Sequence, residues 1–199
     1  MQHKNPTASH NRPPPLYIEQ NRLYDQVQAL PRLIAVVGDK HSGKTTIIEQ
    51  LIEELTRRGY QVGTIKEMVR VSTLDTPQKE TDRYRKAGAK AVVAVPREET
   101  VIFLPKRFGV KEILPHLLGL DFVLLEGFES EEKLPKIVAA KTVQEAQSFM
   151  DKSVVALSGI LADSDQETKK AASLACPLYH STREICMLAT LVEAKAVKY

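Results

Sequence analysis

Apolar positions change period as this chain proceeds. Residues 33–38, LIAVVG, form an unbroken β-branched run ending in glycine, the pattern of a strand covered on both faces. Ile47, Ile48, Leu51, Ile52 and Leu55 then recur at spacings of three and four. That spacing predicts a helix over 44–58 with one face laid on a sheet. Gly59, behind Arg57 and Arg58, is its stop signal, with two cations near the carboxyl end. QVGTIK (61–66) returns to a strand pattern. Strand, helix and strand in one short unit predict a right-handed crossover, and so two parallel strands.

The same alternation continues to the carboxyl end. A polar loop (67–78) precedes a basic helix (79–89), and two strands (90–95 and 100–105) follow. The gap between those strands is too short for a parallel crossover, so they are expected to be antiparallel. Residues 110–119 read as a helix limited by Pro115, and 121–128 as a strand buried on both faces. Strands at 136–140 and 153–160 flank a helix at 142–150. A helix near 166–174, a short strand at 177–180 and a last helix over 183–194 complete the chain. The expected fold class is a three-layer α/β domain with a mainly parallel, partly mixed sheet. Residues 30–199 are assigned to it. Residues 1–29, which include Pro13–Pro15, are expected to form a flexible, extended arm that serves either as a docking segment or as a solvated extension.

Composition narrows the function classes. With 43% hydrophobic and 27% charged residues, the chain has an ordinary globular balance. A net charge of +3 with scattered basic residues gives no nucleic-acid footprint, and the absence of Trp leaves no obvious base-stacking platform. No apolar run approaches the ~18 residues needed to cross a bilayer, and the first residues lack a signal-peptide core. Cys176 and Cys186 lack the paired spacing of a zinc site and are expected to be reduced thiols. The expectation is a cytoplasmic protein without membrane or nucleic-acid partners.

The chemistry concentrates in VVGDKHSGKTT (36–46), where Gly38-x-x-x-x-Gly43-Lys44-Thr45 follows a predicted strand and opens a predicted helix. A polyphosphate needs inward-pointing backbone N–H groups at close range, which Gly38 and Gly43 permit. Lys44 brings positive charge to the outer phosphates, Thr45 offers a hydroxyl to Mg²⁺, and the helix start adds its partial positive charge. The nucleotide contacts are therefore expected from Gly38, Asp39, Lys40, His41, Ser42, Gly43, Lys44, Thr45 and Thr46, with no catalytic role for His41.

Mg²⁺ bound to a nucleotide usually takes a carboxylate as well. Asp121 enters the strand at 121–128 and Glu126 leaves it; five residues at about 3.3 Å each separate them by roughly 16 Å. Ligands collect outside the carboxyl ends of strands in open α/β sheets, so Glu126 is the candidate and Asp121 a turn residue. Lys66 and Glu67 also leave a strand on that side. Glu67 is a candidate second Mg²⁺ carboxylate, and Lys66 a candidate contact for phosphate or another anion. The helix bearing Lys79, Arg83 and Lys86 is either an anion-binding lid or a solvated face.

Four segments in order carry a family resemblance: GDKHSGKTT (38–46), LTRRGYQVGTIK (55–66), DTPQKETDRYRKAGAKAVVAV (75–95) and LLEGFESEEKLPKI (124–137). Together they resemble the molybdopterin-guanine dinucleotide biosynthesis protein B (MobB) family of P-loop NTPases over roughly residues 33–161. The resemblance implies a GTP-binding, weakly hydrolysing accessory protein of molybdenum-cofactor maturation. It also implies a homodimer working beside the guanylyltransferase that attaches GMP to molybdopterin, with molybdopterin itself a possible ligand. Gly38, Gly43, Lys44, Thr45 and Thr46 match the family's phosphate loop. Lys79, Glu80 and Thr81 match its Lys-Asp-Ser/Thr step, and Glu126, Gly127, Pro135 and Lys136 its EG…PK segment. The chain departs from the family at Glu67-Met68, where His usually follows the "TIK", and at Gln78 and Glu80.

Lys44 and Glu126 are thus the candidate catalytic pair, and Mg²⁺ and GTP the implied cofactors. Two alternatives use the same loop: a small-molecule kinase or ligase with Arg83 and Arg85 as a lid, and a metal-delivery GTPase. No base stands out for the first, and the five histidines do not cluster for the second. Guanine specificity rests on the resemblance. No Asn-Lys-x-Asp motif occurs, and GILAD (159–163), with Asp163, is the one candidate base-reading loop.

Overall fold

The structure, a computed structural model, describes residues 30–199. The arm expected at 1–29 lies outside the described residues. The buried run Arg32–Val37 forms β1, and the helix predicted after it is α1, Lys44–Arg57. β2 is Val62–Lys66, and α2 is Glu80–Lys86. A hairpin follows, with β3 at Val92–Ala94 and β4 at Val101–Phe103. α3, Val110–Ile113, runs into a 3₁₀ turn at Leu114–Leu117. Then come β5 (Phe122–Glu126), β6 (Lys136–Ala139), α4 (Val143–Ser148) and β7 (Val154–Ser158). A 3₁₀ turn at Ile160–Asp163, α5 (Asp165–Ala171), α6 (Ile185–Lys195) and β8 (Val197–Lys198) close the chain.

The main sheet has the order β2-β5-β1-β6-β7, and these strands are parallel. β5 enters next to β1 although six helices and strands separate them in sequence, because its residues Phe122–Leu125 are apolar enough to be covered on both faces. Register aligns Val36 with Glu126 and Lys66 with Glu126, so β1, β5 and β2 end side by side.

Helices cover both faces. On one, Ile47, Leu51 and Leu55 of α1 meet Leu188, Ala189 and Val192 of α6 over Ile34, Val36 and Leu124. On the other, Val110, Leu114, Val143, Ala146 and Ala171 pack over Leu33, Ala35, Val123 and Leu125. Alternate residues of β1 and β5 thus feed opposite cores, which makes three layers.

Three expectations need correction. The antiparallel pair at 90–105 forms, but as a separate two-stranded ribbon rather than part of the main sheet. The mixed character of the main sheet comes instead from β8, which pairs antiparallel with Arg32 and Leu33 of β1. Two residues are too few to show a strand period. The strand expected at 177–180 shrinks to a single parallel bridge between Leu157 and Leu178, because Pro177 opens it without an N–H to donate. Pro115 acts as expected: the helix gives way to a 3₁₀ turn around it.

A polar clamp ties α1 to α6. Glu54, only 6% exposed, accepts hydrogen bonds from Arg57 and Arg58 at 2.8 Å. Arg58 also donates to the Cys186 carbonyl at 2.6 Å and pairs with Glu193 at 3.0 Å. Hydrogen bonds from the two arginines hold the Glu54 carboxyl down from its ordinary 4.5 to about 2. A depressed carboxylate stabilises the fold above its unfolded value, and that contribution disappears as pH falls from about 4.5 towards 2. We therefore expect Glu54→Gln to be less stable than the parent chain at pH 7 in urea unfolding, with the difference shrinking as pH drops through this window. A difference that stays constant with pH contradicts the clamp.

Candidate functional site

The loop between β1 and α1 is shaped by missing side chains. Gly38 has φ 138°, and a Cβ there would fall 2.0 Å from the Ala139 carbonyl oxygen at the end of β6. A Cβ on Gly159, just after β7, would sit 2.4 Å from the Ser42 carbonyl oxygen. The loop therefore rests directly on the carboxyl ends of β6 and β7, backbone against backbone. The Ile160 N–H donates to that same Ser42 carbonyl at 3.3 Å, and Lys141 Nζ reaches the Lys40 carbonyl at 3.2 Å. His41, at φ 61°, holds a left-handed turn without being glycine, a strained conformation fixed by these neighbours. Ser42 Oγ is fully buried inside the loop.

This support aims the start of α1 outward. Gly43 is the N-cap, no side chain caps the helix, and no acidic residue lies in its first turn. The first N–H groups and their partial positive charge are left for an anion. Lys44 Nζ folds back onto the Gly38 and Asp39 carbonyls at 2.7 and 2.6 Å. It is poised beside the cradle, and swinging it towards a phosphate exchanges those carbonyls for a charged partner.

Glu126 arrives from the neighbouring strand as expected. Its Oε1 accepts a hydrogen bond from Thr45 Oγ1 at 3.4 Å and pairs with Lys66 Nζ at 3.0 Å. Lys40, His41, Gly43, Lys44, Thr45, Thr46, Lys66 and Glu126 line one cavity of about 690 Å³, joined by Ile160. The cavity thus brings together Thr45, Glu126 and Lys66 with much of the loop, while Asp39 is exposed and does not line it. The hydroxyl of Thr45 and the carboxylate of Glu126 are hard oxygen donors of the kind Mg²⁺ takes. Among the described residues no group of three or more His, Cys, Asp or Glu side chains is placed to hold a metal.

Glu67 does not join this cavity. Its carboxylate pairs with Arg107, accepts the Phe128 N–H at 2.9 Å, and lies against Gly127, whose absent Cβ would approach Glu67 Cβ at 3.1 Å. It faces a second cavity, so the expectation of a second Mg²⁺ carboxylate is not met by this arrangement. Thr81 is likewise occupied, donating to the buried Asp75 at 2.7 Å. Asp75 also pairs with Arg85 at 3.1 Å, and Asp82 with Lys86 at 2.7 Å. Hydrogen bonds from Lys86 and the Gln78 N–H hold the Asp82 carboxyl low. The segment 75–86 is therefore a polar knot that builds α2, with Lys79 at its N-cap and Glu80 on the surface.

Lys136 is buried rather than presented to a ligand. Its Nζ donates to the Glu129 carbonyl and to Asp151, both at 2.9 Å, beside a separate cavity of about 240 Å³. Burial opposes ionisation of Asp151, but hydrogen bonds from Ser153 and Lys136 outweigh it and keep its carboxyl at about 2. Asp163 is bound to His180 Nε2 at 2.8 Å. Cys176 and Cys186 are free thiols, and burial pushes the Cys176 thiol up. Gly159, Lys141 and Arg107 were missed at the sequence level. A glycine directly after a buried strand was the available signal for Gly159; nothing local marks the other two.

A family model described as molybdopterin guanine dinucleotide synthesis protein B, MobB, matches residues 33–160. The chain belongs to the MobB family. The match runs from β1 to Ile160, so it contains every element of the phosphate cradle. Molybdopterin-guanine dinucleotide biosynthesis adapter proteins of Haemophilus influenzae and Escherichia coli are 33% and 30% identical over 110 and 119 residues. Each alignment covers 53% of this chain, with 61% and 63% of the respective relative. A similarly named protein of Methanocaldococcus jannaschii is 38% identical over 117 residues, 55% of this chain. The chain spans about half of that relative's length, 47%. Crystallised Bacillus subtilis MobB superposes with a TM-score of 0.66 at 21% identity, covering 84% of this chain and 99% of that one. The MobB homolog of Bacillus stearothermophilus gives 0.58 at 24%, covering 81% and 98%. These likenesses show the fold: a mostly parallel sheet with helices on both sides and a P-loop at its carboxyl edge.

Gly159→Ala tests the cradle's support. A Cβ at that position meets the Ser42 carbonyl, so we expect a lower melting temperature, equivalent to about 1–3 kcal/mol, by thermal unfolding. Gly59→Ala, where nothing lies within 4 Å of the added Cβ, shares the positive φ and serves as the control for backbone strain alone. Equal losses at both positions contradict the close approach.

Proposed function

We propose that this chain is a GTP-binding adapter in molybdopterin guanine dinucleotide synthesis, with slow, Mg²⁺-dependent GTPase activity. The carrying observation is the convergence of Thr45, Glu126 and Lys66 at the open end of α1, within one cavity. Backbone N–H groups at the helix start and Lys44 would hold the outer phosphates; Thr45 and Glu126 would hold Mg²⁺. The ion, when bound, neutralises phosphate charge. Lys66 sits where it can meet developing charge on the transferred group.

Several features support an adapter rather than a fast enzyme. Phosphoryl transfer needs an acceptor that orients the attacking group. Glu126 is already engaged by Thr45 and Lys66, and Glu67 by Arg107 and the Phe128 N–H. For the kinase alternative, the same contacts leave neither Glu126 nor Glu67 as a free base. The name carried by the relatives, molybdopterin-guanine dinucleotide biosynthesis adapter protein, supports a place in that synthesis; a guanylyltransferase and molybdopterin are the partners this reading assigns. A homodimer is supported by exposed apolar side chains on and next to the β3–β4 ribbon: Val93 and Ile102, with Val95 just past β3, are each more than half exposed. No described helix is long and apolar enough to cross a membrane. We place the protein in the cytoplasm, in keeping with its free thiols.

GTP with Mg²⁺ should raise the melting temperature more than ATP does; equal shifts sink the guanine assignment. Lys44→Ala should weaken nucleotide binding by about 10- to 100-fold, the value of a charged hydrogen bond, in a fluorescence titration. Unchanged affinity removes the phosphate loop from the site. Glu126→Gln should lower Mg²⁺-dependent phosphate release; release at the parent rate takes Glu126 out of the site's chemistry.

A further inference from the structure

Glu67 stands outside the phosphate cavity and grips the chain just beyond Glu126 at three points. Its backbone N–H donates to the Glu126 carbonyl at 2.9 Å. Its Cβ lies so close to Gly127 that a Cβ added there would meet it at 3.1 Å. Its Oε2 accepts the Phe128 N–H at 2.9 Å. The other carboxylate oxygen, Oε1, pairs with Arg107, which comes from the segment between β4 and α3. Both side chains stand in the wall of a second cavity of about 620 Å³, which shares Lys66 with the phosphate cavity.

The gripped turn does not hold itself. Gly127 and Phe128 are both left-handed, with φ 90° and 60°. Two such residues in a row, the second bulky and buried, persist only where their neighbours fix them. Towards the sheet, the Gly127 N–H donates to the Val36 carbonyl at 3.0 Å. Further along, Lys136 holds the Glu129 carbonyl at 2.9 Å. Between these two anchors the Phe128 N–H rests on Glu67. An ionised acceptor makes this the strong kind of hydrogen bond. Arg107 occupies the second oxygen and so leaves the carboxylate one orientation. With Arg107 73% exposed, the pair adds little to stability as a salt bridge. Its effect lies in aiming the carboxylate at the turn.

We propose that Glu67 is a positioning residue for Glu126, and that Arg107 acts through Glu67. The inference rests on the reading of Glu126 as a Mg²⁺ ligand and adds to it the two side chains that hold its turn. Charge alone makes a different forecast. Loss of a carboxylate near a cation site weakens cation binding, and loss of a guanidinium strengthens it. Positioning requires both losses to weaken it, because the turn is released in either case.

The test titrates a ribose-labelled fluorescent GTP into the full chain over a series of Mg²⁺ concentrations. The quantity read is the Mg²⁺ concentration that gives half of the gain in affinity. Glu67→Ala should raise it about tenfold and Arg107→Ala about threefold, with GTP affinity in the absence of Mg²⁺ unchanged. Glu67→Gln, which keeps an acceptor oxygen for the Phe128 N–H, should fall between the parent and Glu67→Ala. Arg107→Ala should add nothing in the Glu67→Ala background. Lys106→Gln removes a charge from the same cavity wall, where Lys106 pairs with Glu112, and should behave as the parent. Should Glu67→Ala fail to fold, the exposed Arg107 carries the test. A lower Mg²⁺ requirement in Arg107→Ala, or Glu67→Gln no better than Glu67→Ala, overturns the proposal in favour of charge alone. Glu67→Ala matching the parent while Glu126→Gln raises the requirement overturns this role and leaves the nucleotide reading standing. No Mg²⁺ effect in the parent chain, or none lost in Glu126→Gln, removes the metal reading of Glu126 and this role with it.

Discussion

The whole arrangement depends on a contact in which backbone touches backbone. Gly38 lies against the Ala139 carbonyl and Gly159 against the Ser42 carbonyl, at distances where any Cβ would collide. This close approach presses the loop 38–43 onto the ends of β6 and β7. It fixes the axis of α1 and exposes its uncapped start. Without it, Lys44 and Thr45 would still be present but would not converge with residues from other strands. The sheet then supplies those residues by register: Val36, Glu126 and Lys66 lie in one row across β1, β5 and β2.

That row also explains why the site is polar on one side only. Strands buried on both faces must be apolar until they leave the sheet, so charge appears at their ends. β5, buried over Phe122–Leu125, reads FVLL and then Glu126; the half-buried edge strand β2 reads VGTI and then Lys66. Opposite charges on neighbouring strand ends pair at 3.0 Å and stand next to the cradle. Under the proposed function an arriving Mg²⁺–nucleotide would compete for the same carboxylate and so link nucleotide binding to the position of Lys66. Lys66 is also the wall shared with the adjoining cavity.

Much of this was legible in the sequence because it is local. The strand–loop–helix of the cradle follows from period and glycine spacing, and Glu126 from the rule that ligands gather at carboxyl strand ends. Non-local pairing was not legible. Glu67 was a reasonable second carboxylate by position, yet Arg107, forty residues away, and the Phe128 N–H claim it. Lys136 looked available until β6 placed it between Glu129 and Asp151. Thr81 belongs to the knot with Asp75, a structural reason for its place in the family's motif. The two-residue β8 was too short to leave a period, and the ribbon β3–β4 shows its pairing in sequence but not its separation from the main sheet.

The central claim is that a polyphosphate is held by the start of α1 on a loop braced by Gly159. Amide hydrogen exchange with and without Mg²⁺ and GTP measures this most directly. Protection should rise at residues 41–46 and, through the Ser42 carbonyl, at Ile160, with β8 unchanged. Protection that appears elsewhere while residues 41–46 exchange as before would contradict the account.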